Sequence, residues 1–180
     1  MTRRLVSEGL ILLFILVLPL CAQRKHDPLA PVEIDQLRDA MLDPDQRLKL
    51  YVSFSRDRIN RLEQMRADPK AADRAQQTHD MLADFLGVYD ELNDNIDMYV
   101  GRKDDIRKPL KLIIDADTEF QAKLRALKDD AHTDAAESSQ YEFLLSNAIE
   151  TVDSSADDHR KTVGEVEEYV KRKKKNKEKD

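Results

Sequence analysis

The stretch LADFLGVYDELNDNIDMYV, residues 82–100, decides the fold. Leu82, Phe85, Leu86, Tyr89, Leu92, Ile96 and Tyr99 recur every three or four positions, so a helix would gather them into one stripe. Asp90, Asp94 and Asp97, at i, i+4 and i+7, fall on a different face. A helix striped in this way must bury its apolar side against another element.

The same spacing continues outward. Ile106, Leu110, Ile113, Phe120, Leu124 and Leu127 follow in phase, with Gly101 and Pro109 inside the run. Proline cannot donate to the helix ladder, so a kink or break is expected between 101 and 109, and the surviving phase favours a kink. Upstream, a helix over 44–67 carries Leu48, Tyr51, Val52, Ile59, Leu62 and Met65, and a short one over 31–42 carries Ile34, Leu37 and Met41. The last helix, from 140 to about 172, carries Tyr141, Leu144, Leu145, Ala148, Val152, Val163, Val166 and Tyr169.

Boundary signals agree with this division. Asp43-Pro44-Asp45-Gln46 places a cap, a proline at the first helical position and a glutamine at the third. Asp68-Pro69 repeats the first half of that signal and predicts a helix from about 69. Ala30-Pro31 opens the first helix, and Ser139-Gln140-Tyr141-Glu142 has the form of a capping box. The clearest hairpin loop is 130–138. No segment alternates with period two. The fold class is therefore all-α: an elongated antiparallel bundle of about four long helices with coiled-coil-like seams and short loops.

The chain ends carry different information. Arg3 and Arg4, the nine apolar residues Leu10 to Leu18, Pro19 and the Ala22-Gln23 pair have the layout of a secretory signal peptide over 1–23. The apolar run is short of the roughly 20 residues a spanning helix needs. Cys21 is the only cysteine. A lipid anchor there is the minority alternative, because the residue before a lipidated cysteine is normally small and here it is Leu20. A mature chain without cysteine has no disulfide framework, which suits a bacterial envelope. Residues 24–30 read as a linker, 31–172 as one bundle domain and 173–180 as a basic disordered tail. The formal charge of −6 is unevenly spread: the tail from Lys171 contributes +5 and the signal segment +1, leaving −12 on residues 24–170. An acidic body argues against nucleic acid as a partner.

Few side chains suggest chemistry. Glu150, Asp153 and Asp157 form a second acidic stripe, at i, i+3 and i+7. Together with Asp90, Asp94 and Asp97 they are candidate ligands for a hard cation, although a solvated face is the commoner meaning of such a stripe. The spacing of Asp80/Asp84, Asp90/Asp94 and Asp153/Asp157 resembles that in the PhoU-type helical phosphate regulators, whose acidic residues four apart bind metal clusters. Those regulators work inside the cell, and their function is not carried over to an exported chain. The run 90–95 is not an EF-hand loop, since Leu92 occupies a ligand position. His79 belongs to no Glu-x-x-His pair, so a di-iron bundle is not supported. His26 and His132 read as terminal and loop residues.

Asp117 lies in phase with Ile113 and Phe120, and His159 with Val152 and Val163. Both are expected at the edge of the stripe, the alternative being a buried polar layer or a proton site. Ser154-Ser155-Ala156 reads as small residues allowing close helix approach. No nucleophile motif, phosphate loop or cofactor signature is present. Lys171, Arg172, Lys173, Lys174, Lys175, Lys177 and Lys179 are candidates for contact with an anionic envelope surface. The expectation is an exported, non-catalytic structural, scaffold or adaptor protein of the envelope with no cofactor and no membrane span in the mature chain. The alternative is a cation-binding or stress-type periplasmic bundle.

Overall fold

The computed structural model describes residues 27–131 and 135–177. The expected signal peptide, His26, Lys179 and residues 132–134 of the expected 130–138 loop lie outside them; the last four residues of that loop are helical. Among the described residues there are six helices and no strand: α1 (Pro31–Asp39), α2 (Pro44–Ala67), α3 (Arg74–Gly101), α4 (Arg107–Ala131), α5 (Ala135–Ser138) and α6 (Glu142–Lys177). The four long ones form the expected bundle, and no described helix is long and apolar enough to cross a membrane.

Consecutive long helices run antiparallel, but the neighbours are not all consecutive. α2 packs beside α3 and α4 beside α6, while α2 also packs beside α4 and α3 beside α6. α3 and α4 therefore face each other across the diagonal and meet through large core side chains. Phe85 and Phe120 stand edge to face at 5.4 Å, and Tyr89 and Phe120 at 6.1 Å. Arg56 to Glu119 and Asn60 to Lys123 pair at one constant offset, which makes the α2/α4 neighbours parallel.

The α3–α4 junction is a break, where the phase of the apolar residues favours a kink. Lys103 takes φ 63°, and the amides of Lys103 and Asp104 donate to the carbonyls of Val100 and Tyr99. This is a left-handed helix stop with lysine in the position usually held by glycine. Pro109 then falls in the first turn of α4, where its missing N–H costs little.

Other boundaries shift for local reasons. α2 begins as expected, with Asp43 accepting from the Gln46 amide at 3.0 Å. After Asp68 the chain turns instead of re-entering a helix, because Asp68 accepts from the amides of Lys70 and Ala71 through its side chain and its carbonyl. α3 therefore starts at Arg74. Ser139 does not cap α6: its hydroxyl donates back to the Ala136 carbonyl and closes the short α5. α6 runs to Lys177, past the expected end near 172, so residues 173–177 of the basic tail continue the helix.

The core runs the length of the bundle, with Tyr51, Tyr89, Tyr99, Tyr141, Phe85 and Phe120 wholly enclosed. Two buried or half-buried arginines bind the outer pieces to it. Arg47 donates to the Leu37 carbonyl and to Asn95, joining α1, α2 and α3. Arg58, on α2, forms a two-pronged ion pair with Glu33 of α1 and donates to the Pro28 carbonyl at 2.6 Å. Pro28 lies so close to α3 that a Cβ on Gly87 would fall 2.8 Å from its ring. The segment before α1 is thus seated on α2 and α3.

Burial alone would raise the Glu33 carboxyl. Hydrogen bonds from Arg58 and the Ala30 amide, with the positive charge of Arg58, outweigh it and hold the group below its ordinary range. A carboxyl lowered in the folded state stabilises the fold above its unfolded value of about 4.3 and loses that contribution as pH falls through the folded value. Glu33→Gln should therefore cost about 3–5 kcal/mol near neutrality, and the gap to the parent should narrow below about pH 4. Denaturant titrations of both proteins at several pH values check this; a gap that widens on acidification contradicts it.

Candidate functional site

The apolar seams are interrupted at mid-height by polar side chains. On α4 the inward series Ile106, Leu110, Ile113, Asp117, Phe120, Leu124 and Leu127 keeps its alternation of four and three with Asp117 included. On α6 the series Val152, Ala156, His159, Val163 and Val166 does the same with His159. Both residues are core residues and not edge residues: Asp117 is 0% exposed and His159 4%.

These two side chains meet a third from the diagonal helix. The Tyr89 hydroxyl donates to Asp117 Oδ1 at 2.7 Å, and His159 Nδ1 lies 2.8 Å from Asp117 Oδ2. With Nδ1 as donor, both carboxylate oxygens are satisfied inside the core. The Tyr89 hydroxyl is pushed up by burial, then by the charge of Asp117 and by the bond it donates there, which keeps it a donor at neutral pH. Neighbouring polar groups extend the cluster: Asn93 donates to Ser155 Oγ at 2.9 Å. The α2/α4 register also sets Ser55 level with the turn carrying Asp117. Ser55 is wholly buried, and its hydroxyl has no hydrogen-bond partner among the described residues.

The bonded layer takes Tyr89 from α3, Asp117 from α4 and His159 from α6, with Ser55 of α2 level with it but unbonded. Asp117 is fully enclosed and takes its partners from α3 and α6, so the arrangement ties the register of three helices. A buried hydrogen-bonded charge is tolerable with its partners and costly without them.

The acidic stripes do not come together. Asp153 is taken up by Gln121 at 2.9 Å and Arg125 at 2.7 Å, and Asp157 pairs with Arg160 at 2.9 Å. Glu150 and Asp97 are exposed. Asp90 and Asp94 line a groove beside Pro28 and Leu144, where burial and then the charge of Asp94 raise the Asp90 carboxyl. Among the described residues no group of three or more His, Cys, Asp or Glu side chains is placed to hold a metal ion.

The basic stretch is helical as far as Lys177. Lys171, Arg172, Lys173, Lys174 and Lys175 are all exposed. Arg172 pairs with Glu168 at 2.8 Å, and the Lys173 ammonium lies 5.9 Å from the centre of the Tyr169 ring. Asp45, Arg107 and Glu167 line one depression, which puts these bases at the same end of the bundle as the start of α2. Leu42, 90% exposed, and Met41 stand at that end as well.

The chain matches no known protein family, no curated protein and no solved structure.

The polar layer yields a sharp test. Asp117→Leu alone leaves Tyr89 and His159 unmet in the core and should cost about 3–5 kcal/mol. Asp117→Leu with His159→Leu replaces a polar pair by apolar bulk and should recover at least half of that loss. Chemical denaturation of both single variants and the double variant checks the pattern; additive losses would mean that the pair does not act as a unit.

Proposed function

We propose that the protein is exported and serves the bacterial cell envelope as a non-catalytic structural, scaffold or adaptor protein. It meets an anionic envelope surface or a protein partner through one end of its bundle. The observation that carries this reading is the separation of charge: an acidic four-helix body with five exposed bases on the last turns of α6, beside exposed Leu42 and Met41. Cationic side chains next to a few apolar ones suit an anionic surface, each base near such a surface contributing about 1 kcal/mol. The non-catalytic reading is supported by the character of the buried polar cluster, whose partners satisfy one another and whose carboxylate is closed to solvent. The cation-binding alternative finds no ligand set among the described residues and gains no support.

Export rests on the signal-like residues 1–23. Intact-mass measurement of protein from its native host should place the mature N-terminus between Ala22 and Arg24. A mass that retains Met1, or that carries diacylglycerol on Cys21, defeats the cleavage proposed.

Removing residues 173–180 tests the contact surface. These residues lie beyond the last core positions of α6, so the melting temperature should change by no more than about 2–4 °C, equivalent to roughly 1 kcal/mol. Sedimentation with anionic vesicles should be lost, and that of the intact chain should weaken steeply with salt, since exposed charges are screened beyond about 10 Å at 0.1 M. Equal sedimentation by both proteins would remove the basic end from the account.

A further inference from the structure

At the end of the bundle opposite Leu42, α2 and α4 line a cavity of about 300 Å³. Its walls are apolar, made by Ile59 and Leu62 of α2 and by Leu124 and Leu127 of α4. Its mouth is cationic, with Arg66, Arg74 and Lys123 at the rim.

Two of these cations are already matched. Lys123 donates to Asn60 at 2.7 Å and to Glu63 at 2.8 Å. Arg66 donates to Glu137 at 2.7 Å and to Thr78 at 3.1 Å. Asp130, also at the rim, has an interaction of its own. Arg74 is different: among the described residues its side chain has no hydrogen-bond or ion-pair partner, and its Nε is buried without an acceptor. A buried donor left unmet costs about 1–3 kcal/mol.

The position of Arg74 adds to the imbalance. It is the first residue of α3, a helix whose N-cap residue, Asp73, makes no side-chain cap bond and whose first turn holds no acidic residue. The positive end of the helix dipole and the Arg74 guanidinium therefore share one place with Asp73, whose carboxylate bonds neither the helix amides nor the guanidinium. One unmatched positive charge beside a small apolar cavity defines the complement: a single negative charge on an apolar body. Glu63 and Asp130 at the rim would repel a doubly charged head. A planar carboxylate suits the guanidinium fork, and the volume lies at the small end of the usual 300–1,000 Å³ for ligand sites.

We propose that this cavity binds a free, single-chain amphipathic carboxylate of the medium-chain fatty-acid type, its head on Arg74 and its chain between α2 and α4. The site is separate from the basic end of α6, so its failure would leave the envelope reading untouched.

The test is a calorimetric titration of the full mature chain with decanoate, kept below its micelle concentration. Saturable one-to-one binding is expected, with decanol and decyltrimethylammonium at least tenfold weaker and acetate without effect in the same range. Arg74→Gln should weaken decanoate at least tenfold. Ala126→Phe, at an exposed position on the rim, should block the cavity and abolish binding; thermal melts confirm that both variants remain folded. If either variant does not fold, the comparison among the four probes on the parent decides. No saturable decanoate binding, undiminished binding by both variants, or equal binding of decyltrimethylammonium would overturn the proposal. Acetate binding as tightly as decanoate would overturn it as well, by showing an anion site with no role for the apolar walls.

Discussion

The bond between Tyr89 and Asp117, shared on its other side with His159, is the constraint on which the bundle depends. Apolar seams built from alternating threes and fours are nearly self-similar, and a slide of one heptad would leave most of their contacts chemically equivalent. A carboxylate in the core removes that freedom. With its oxygens on Tyr89 and His159, Asp117 is satisfied; one heptad away it would face apolar side chains at a cost of several kcal/mol. The layer thus converts an apolar preference for association into one alignment of α3, α4 and α6. That alignment in turn fixes how far the last turns of α6 project past the start of α4.

Around this layer the outer contacts are of two kinds. Exposed pairs along the helices, such as Arg38 with Asp35 and Arg160 with Asp157, contribute little. The contacts of Arg47 and Arg58 are half-buried or buried and link separate elements, so each holds a piece that would otherwise have too little apolar area to stay in place. α1 is only nine residues long. It is held by the Glu33–Arg58 pair below and by the Arg47 bond to its last turn, with Pro28 fitted against the bare backbone of Gly87.

Much of this was legible in the residues. The number of long helices, their apolar faces and the start of α2 follow from spacing and from Asp43-Pro44. Asp117 and His159 could be placed in phase with the seams, yet their polarity made an edge position the expected one. The stricter signal was the unbroken alternation from Ile106 to Leu127, which has room for Asp117 only as an inward residue. The left-handed stop at Lys103 was hidden because lysine gives no sign of positive φ, whereas Gly101, which does, is two residues early and helical. Contacts between distant segments, such as Glu33 with Arg58 and the isolation of Arg74, depend on how helices are arranged around the bundle, and periodicity along one helix carries no information about that.

The diagonal passage from α3 to α4 also has a kinetic meaning. α2 with α3, and α4 with α6, are antiparallel neighbours close in sequence, so each pair closes a short loop and can form early. The contacts between the pairs are of mixed range: Tyr89 and Asp117 lie 28 positions apart and Arg56 and Glu119 lie 63, and the loop entropy of the longer ones must be met before they return any stabilisation. Asp117 and His159 belong to one pair and Tyr89 to the other. Tyr89 and Asp117 are nearer in sequence than Asp117 and His159, 28 positions against 42, so the buried carboxylate ties the two hairpins to each other at no greater loop cost than it ties the second hairpin to itself.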